Sequence, residues 1–342
     1  MKILIVTDAW DPQVNGVVKT LQATGKELEK KGHEVVYLTP SHPKFKTFPT
    51  PSYPEIRLVW NLWHVGKIIK EIKPDAIHIA TEGTLGMAAR TFCYRKKLPI
   101  TSSYHTKTPE YINKRLPWFP LSWGYRFMRW LHRDSRAVLV TTESMKKELD
   151  AWSLHPKMVV WSRGVDLELF NPDIRWNKPP HHLNSLVYVG RVSVEKNLEA
   201  FLDLNIPNSN KIIVGDGPDR KQLEEKYTDA QFIGYRHGEE LAKCFADADV
   251  FVFPSKTDTF GIVMIEANAC GTPVAAYPVT GPKDFVENGV NGFLEENLDD
   301  AILKCLSLNR DDIRKFAEEN YAWSHSAEIF EEVLVPITDR WK

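Results

Sequence analysis

Short apolar runs alternate with helix-period segments along almost the whole chain, and they fall into two series. The first series predicts strands at Lys2–Thr7, Glu34–Leu38, Ile56–Val59, Ala76–Ala80, Ile100–Tyr104, Ala137–Thr141 and Met158–Trp161. The second predicts strands at Leu186–Val189, Lys211–Val214, Gln231–Ile233, Val250–Phe253 and Pro273–Ala276. Strands that are apolar throughout and separated by helices belong to parallel sheets covered on both faces. Between the series, Phe170–His182 carries Pro172, Pro179 and Pro180 with Asn171 and Asn177, which suits an interdomain linker better than a helix or strand. The predicted fold is therefore α/β, with two doubly wound Rossmann-like domains facing a cleft. Ligands of such sheets bind beyond the C-terminal strand ends. The tail, Asp311–Trp341, reads as one or two helices.

The length, 342 residues, allows each domain its own core. A net charge of −1 gives no bulk reason to expect a nucleic-acid partner. Cys93, Cys244, Cys270 and Cys305 show no CxxC spacing, so reduced core thiols are expected. Met1–Val6 resembles a strand rather than a secretory signal, and no run is long enough to span a membrane. A cytoplasmic protein is expected, with room for attachment to a membrane surface.

Candidate chemistry gathers at strand ends. Val250–Phe253 runs into Ser255-Lys256-Thr257-Asp258-Thr259-Phe260-Gly261, and a helix is predicted from about Gly261 to Cys270, carrying Glu266. The unpaired amides of a helix N-terminus favour phosphate, and a glycine there lets a ligand approach closely. Two carboxylates flanking such a junction suit a molecule with phosphate in the middle and hydroxyls at both ends, such as a nucleotide-sugar. Arg191 and Lys196 follow the strand Leu186–Val189, and a forked guanidinium beside a point-charge amine makes a diphosphate clamp. Asn15-Gly16 forms a turn before a helix after the first strand, and no GxGxxG dinucleotide fingerprint is present.

These segments occur together in one order. Gly190-Arg191, Glu195-Lys196-Asn197, Gly215-Asp216-Gly217-Pro218, Phe232-Ile233-Gly234-Tyr235 and Asp258…Glu266 resemble the motifs of retaining GT-B glycosyltransferases of the family 4 type. Asn15-Gly16-Val17, Trp161-Ser162-Arg163-Gly164-Val165-Asp166, Phe170-Asn171-Pro172 and Cys270-Gly271-Thr272-Pro273-Val274 fit as well. The form Trp-x-Arg-Gly-Val-Asp looks most like the branch of sulfoquinovosyl-, glucosyl- and mannosyl-transferases that act on lipid or lipid-linked acceptors. The resemblance implies an acceptor-binding domain over residues 1–168, a linker over 169–185 and a nucleotide-sugar-binding domain over 186–320. The last helix, in 321–342, would return to the first domain. Glu266 would hold the ribose hydroxyls, and Asp258 the donor sugar, although many relatives have Glu at that position. Arg191 and Lys196 would clamp the diphosphate, Gly16 would lie near the phosphates, and Thr259, Phe260 and Gly261 would complete the donor site. His105 would reach the sugar or a backbone carbonyl. Arg163 is assigned to phosphate or cleft stabilisation and Asp166 to local structure. No cofactor or metal is obligatory in this family, because basic residues and helix-end amides neutralise the diphosphate. Retention would follow from the leaving phosphate taking the acceptor proton, with domain closure excluding water.

Tyr111–Arg136 mixes Trp118, Phe119, Trp123, Phe127 and Trp130 with Arg126, Arg129, Arg133 and Arg136 and few acids. This pattern suits an interfacial surface on an anionic membrane. A core helix with snorkelling arginines, burying Phe127, Trp130 and Leu131, is the alternative. The expected activity is hexose transfer from a UDP- or GDP-sugar to an acceptor hydroxyl, with a lipid such as diacylglycerol as acceptor at the inner face of the cell membrane. A soluble-sugar transferase, or a hydrolase or epimerase on the same fold, stays open at this level.

Overall fold

The computed structural model describes residues 1–11, 16–49, 57–105, 107–116, 118–175, 183–256, 261–338 and 341. The chain divides into two compact units, Met1–Arg163 with Trp323–Lys342, and Gly164–Ala322. Unit 1 contains β1 (Lys2–Val6), α1 (Gly16–Lys30), β2 (Glu34–Leu38), β3 (Thr47–Pro49), β4 (Arg57–Val59), α2 (Val65–Ile72) and β5 (Ala76–Ile79). It continues with α3 (Thr84–Lys96), β6 (Ile100–Tyr104), α4 (Thr108–Arg115), α5 (Leu121–His132), β7 (Ser135–Val140), α6 (Glu143–Ala151) and β8 (Met158–Val160). Unit 2 contains β9 (Asn184–Val189), α7 (Glu199–Leu202), β10 (Ser209–Val214), α8 (Arg220–Lys226), β11 (Ala230–Gly234), α9 (Gly238–Asp247) and β12 (Val250–Phe253). It ends with α10 (Ile262–Ala269), β13 (Val274–Ala276), α11 (Pro282–Phe285), β14 (Gly292–Leu294), α12 (Leu298–Cys305) and α13 (Arg310–Tyr321), after which α14 (Trp323–Val333) belongs to unit 1.

Each unit is built on a parallel sheet. The order is β2-β1-β5-β6-β7-β8 in unit 1 and β11-β10-β9-β12-β13-β14 in unit 2. The second is the strand order of a Rossmann sheet. In both, the order reverses beside the first strand, between β1 and β5 and between β9 and β12. With its parallel strands counted in chain order, the first sheet runs 2-1-3-4-5-6, the flavodoxin-like variant, so both are doubly wound sheets of the predicted Rossmann-like class.

Alternate residues of each central strand feed opposite faces, because side chains alternate across a strand. In β1, Leu4 and Val6 join a core with Ile77, Ile79, Leu85 and Ile69, while Ile3 and Ile5 join one with Leu21, Leu28, Phe330 and Val333. The second core is closed by α14, which packs on α1. There Trp161 donates its indole N–H to the Ser326 carbonyl at 3.0 Å, and its ring lies 5.2 Å from that of Phe330. In unit 2, Leu186 and Tyr188 of β9 face one core, and Val187 and Val189 face the other. Arg314 ties the entry segment to α10 through the carbonyls of Leu167, Phe170 and Ala269.

The structure departs from the expected strands in particular places. The segment expected at Ile56–Val59 does not enter the main sheet; Arg57–Val59 pairs antiparallel with Thr47–Pro49 in a separate hairpin. Three residues are too short to show a period, so the sequence could not say which partner they would take. β14, equally short, was not predicted. The tail forms α13 and α14, which break at Ala322, where Val165 bridges to it in parallel.

Phe330 is fully buried between Trp161 and His78. Phe330→Ala is expected to cost about 3–5 kcal/mol. It should lower the urea midpoint of unit 1, and an unchanged midpoint would show that α14 is not needed to close that face.

Candidate functional site

In unit 2 the site begins with the loop after β9. Gly190 accepts its place in the sheet by donating to the Val214 carbonyl at 3.0 Å, and Val192 donates to the Asp216 carbonyl at 3.0 Å. These bonds press the loops after β9 and β10 together. Gly215 makes this possible: its φ is 140°, and a Cβ there would lie 1.9 Å from the Gly190 carbonyl oxygen. Arg191 projects from the braced loop and is exposed, while Lys196 closes the single 3-10 turn Val194–Lys196. Tyr188 donates its hydroxyl to the Arg191 carbonyl at 2.8 Å, so the backbone under the guanidinium is fixed from below.

The neighbouring strand supplies the other half. β12 pairs with β9, so the segment after β12 rises beside the Arg191 loop. Asn197 sits in the left-handed region with φ 55° and donates its side-chain amide to the Pro254 carbonyl at 3.0 Å. It thereby ties the two loops together. Sequence reasoning quoted Asn197 in a motif but gave it no role; its position directly after the Lys196 turn was the available signal. Gly261 caps α10 with φ 74°, a conformation costly for other residues. Glu266 is the one acidic residue of α10 and is partly exposed, whereas Met264, Ile265, Ala267 and Asn268 are buried. Arg191, Lys196, Gly261 and Glu266 thus belong to the two adjoining loop-and-helix segments at one switch point. Asp258, Thr259 and Phe260 lie outside the described residues.

In unit 1, Gly16 starts α1, and the Arg163 guanidinium packs against it; a Cβ at Gly16 would lie 2.4 Å from Arg163 Nη1. His105 directly follows β6, with its ring 5.6 Å from that of Trp161. Burial, and secondarily the charge of Arg163, pulls the His105 pKa down to about 3. Its Nε2 is buried and finds no hydrogen-bond partner among the described residues. The imidazole is therefore neutral at any ordinary assay pH, suited to hydrogen bonding rather than to carrying charge. Asp166, assigned to local structure, accepts from the backbone amides of Glu168 and Leu169 at 3.1 and 3.0 Å.

Two acids of unit 1 were missed. Asp8, just after β1, is buried and accepts from the Leu85 and Gly86 amides at 2.8 and 3.2 Å and from the Thr81 and Thr84 hydroxyls at 3.1 Å each. It pins the start of α3 to β1. Glu82 lies in the same crossover, between β5 and α3. Both follow apolar strands, and that placement was the only sign in the sequence.

The aromatic segment divides into α4 and α5, and Arg136 falls on β7. Helix α5 buries Tyr125, Met128, Leu131 and His132. Trp123 remains 61% exposed, and Phe127 and Trp130 40% each, so of the stripe expected of a core helix only Leu131 is buried. Trp130 lies beneath the Arg90 guanidinium at 4.3 Å. Arg126 and Arg133 are exposed, whereas Arg129 donates to the Trp152 carbonyl at 2.8 Å. Phe119, Trp123, Arg126, Phe127 and Trp130 line an open depression of about 480 Å³. No helix among the described residues is long and apolar enough to cross a membrane.

Residues 14–169 match the family described as Glycosyltransferase Family 4, and residues 171–321 match Glycosyl transferases group 1. The sulfoquinovosyl transferase SQD2 of Arabidopsis thaliana is 33% identical over 78% of this chain, which spans 56% of the plant protein. A GDP-mannose-dependent alpha-mannosyltransferase of Corynebacterium glutamicum is 29% identical, over 87% of this chain and 78% of its own. An alpha-monoglucosyldiacylglycerol synthase of Streptococcus pneumoniae is 27% identical, over 90% of this chain and 78% of its own. Among solved structures, Anabaena HepE in complex with UDP superposes with a TM-score of 0.73 at 19% identity, covering 97% of this chain and 99% of that one. Sucrose-phosphate synthase of Thermosynechococcus elongatus gives 0.73 at 20% identity, covering 97% and 98%. With two doubly wound parallel sheets and family matches over nearly its whole length, the chain belongs to the GT-B glycosyltransferases of the family 4 type.

Proposed function

We propose that the protein is a retaining hexosyltransferase that moves a hexose from a UDP- or GDP-sugar to a hydroxyl of a membrane lipid. The observation that carries the donor half is that the loop bearing Arg191 and Lys196 adjoins the segment leading to α10 at the β9/β12 switch point, tied to it by the bond from Asn197 to the Pro254 carbonyl. A doubly wound sheet binds its ligand at such a point. Arg191 and Lys196 would hold the diphosphate and stabilise the charge that grows on it as the sugar departs. Glu266 would accept from the ribose hydroxyls, and Asp258 would face the donor sugar with Thr259 and Phe260. In unit 1, Gly16 and Arg163 would support the phosphates. Neutral His105 would hydrogen-bond the sugar without changing its protonation. The names of the relatives support a nucleotide-sugar donor and a lipid-directed reaction: one is described as GDP-mannose-dependent and another as a glucosyldiacylglycerol synthase.

The lipid acceptor is supported by α5. Exposed tryptophans and a phenylalanine on one helix face, interleaved with Arg126 and Arg133, suit the interface of an anionic bilayer. The protein would then work at the inner face of the cell membrane, as a peripheral protein.

Arg191→Ala or Lys196→Ala should lower kcat by about 10²-fold or more, by analogy with the loss of a transition-state donor. The thermal midpoint should stay near that of the wild type, because Arg191 is exposed and Lys196 partly so. Normal turnover in either variant would take that residue out of the mechanism. Glu266→Gln should weaken UDP or GDP binding in calorimetry, while Asp258→Asn should leave nucleotide affinity nearly unchanged and impair transfer. The reverse pattern would exchange the two roles. Each basic residue near an anionic surface is worth about 1 kcal/mol. The wild type should therefore float with phosphatidylglycerol vesicles at low salt and release as salt rises. Replacing Arg126, Arg129 and Arg133 together by Glu should abolish flotation and spare nucleotide binding. A wild-type protein that ignores such vesicles would favour a soluble acceptor.

A further inference from the structure

The switch point of unit 1 lies between β1 and β5, and its two crossover loops carry acids rather than bases. Asp8 follows β1, and Glu82 follows β5. Asp8 is fully engaged in holding the start of α3. Glu82 is not engaged in this way. Its side chain is 11% exposed, and its Oε1 is buried without a hydrogen-bond partner among the described residues. His132 Nε2 lies 3.9 Å from Oε1, beyond hydrogen-bond reach. That nitrogen is also buried and without a hydrogen bond, while the Nδ1 of the same ring pairs with the Ser102 hydroxyl at 2.8 Å. An orphaned buried carboxyl oxygen is expensive unless something satisfies it.

The geometry points to Glu82 as a specificity-determining residue that contacts an oxygen of the acceptor and selects an uncharged, polyol-like acceptor over an anionic one. The inference rests on the reading of unit 1 as the acceptor-binding half. In a doubly wound sheet the crevice at the switch point is where a ligand enters. Here that crevice would present a carboxyl group, flanked by a second acid, to whatever enters.

The protonation state fits the role. Burial raises the Glu82 pKa to about 8; a hydrogen bond from its own backbone amide offsets part of that rise, and the nearby Asp8 adds a smaller push upward. The groups facing it are Asp8 after β1, Tyr104 on β6 and His132 on α5. Burial holds His132 neutral, with its pKa pulled down to about 3, and raises the Tyr104 phenol, so neither supplies a compensating cation near neutral pH. Arg90 on α3 is bound by Asp134 and by the Trp130 carbonyl instead. Below about pH 8, Glu82 is therefore a neutral acid that can donate its O–H to an acceptor oxygen and accept from a hydroxyl. Above that pH it ionises, loses the proton it donates and adds negative charge beside Asp8. A phosphorylated headgroup would find no cation in these two loops to offset its charge.

The test compares Glu82→Gln and Glu82→Ala with the wild type, using dioleoylglycerol or phosphatidylinositol in vesicles of the same phosphatidylglycerol-rich composition, and glycerol as a soluble probe. The donor is whichever of UDP-glucose and GDP-mannose is turned over. Glutamine keeps the size of the side chain and keeps both a donor and an acceptor. Glu82→Gln should hold the acceptor KM within about 2-fold of wild type at pH 7, while Glu82→Ala raises it about 10-fold or more. Affinity for UDP or GDP, and the thermal midpoint of Glu82→Gln, should not change. The wild-type kcat/KM for the acceptor should fall as pH rises through about 8, and that alkaline limb should be missing in Glu82→Gln. Dioleoylglycerol should be preferred over phosphatidylinositol. An unchanged acceptor KM in a folded Glu82→Ala, an alkaline limb that persists in Glu82→Gln, or equal use of the two lipids would overturn the inference. Transfer to glycerol with neither lipid used would sink the lipid reading alone, since the KM for glycerol in the same variants still decides the role of Glu82.

Discussion

A parallel sheet exposes two apolar faces, and both must be covered before the strands can stay together. That constraint organises this molecule. In unit 1 it sends Leu4 and Val6 into one core and Ile3 and Ile5 into the other. Crossover helices cover most of both faces. The second core still takes Ala327, Phe330, Val333 and Leu334 from α14, a segment separated from the rest of unit 1 by the whole of unit 2. The first strand of the chain and its final helix are thus interdependent, and the chain's order follows from the need to close a core.

The same architecture sets where chemistry can occur. Helices occupy the faces, so the functional groups are left to the loops at the C-terminal strand ends. Loops are precise only when something holds them. After β9 the holding is done by the neighbouring loop, which approaches so closely that Gly215 has no space for a Cβ, and by Asn197, which reaches the Pro254 carbonyl. After β1 it is done by Asp8, whose carboxylate collects amides and hydroxyls from the start of α3. These contacts position other groups and need not touch a ligand themselves.

Burial then decides which groups carry charge. His105, His78 and His132 are all driven to the neutral form, chiefly because a charged ring would lose its hydration. Glu82 is driven the same way from the acidic side. Arg191 is exposed in the half of the chain matched to group 1 glycosyl transferases. The loops at the two switch points differ in kind: Arg191 and Lys196 follow β9 in unit 2, whereas Asp8 and Glu82 follow β1 and β5 in unit 1.

The sequence by itself determined the class of fold, because uninterrupted apolar strands alternating with helices leave few other solutions. It also located the Arg191–Lys196 loop and the Gly261–Glu266 helix start, since strand ends and turn residues are local signals. It could not assign Arg57–Val59 to its hairpin or find Gly292–Leu294, because three residues carry no usable period. It could not choose the buried stripe of α5 either, since Phe127 and Trp130 are as apolar as Tyr125 and Met128, and only packing against β6 and β7 separates them. Glu82 was invisible for a related reason. An isolated Glu after a strand reads as solvated, and only the tertiary structure places it beside His132 and Asp8 with its carboxyl oxygen cut off from water. Local pattern fixes which elements form, whereas burial and the partners a side chain meets depend on residues distant in the chain, and those only the folded molecule brings together.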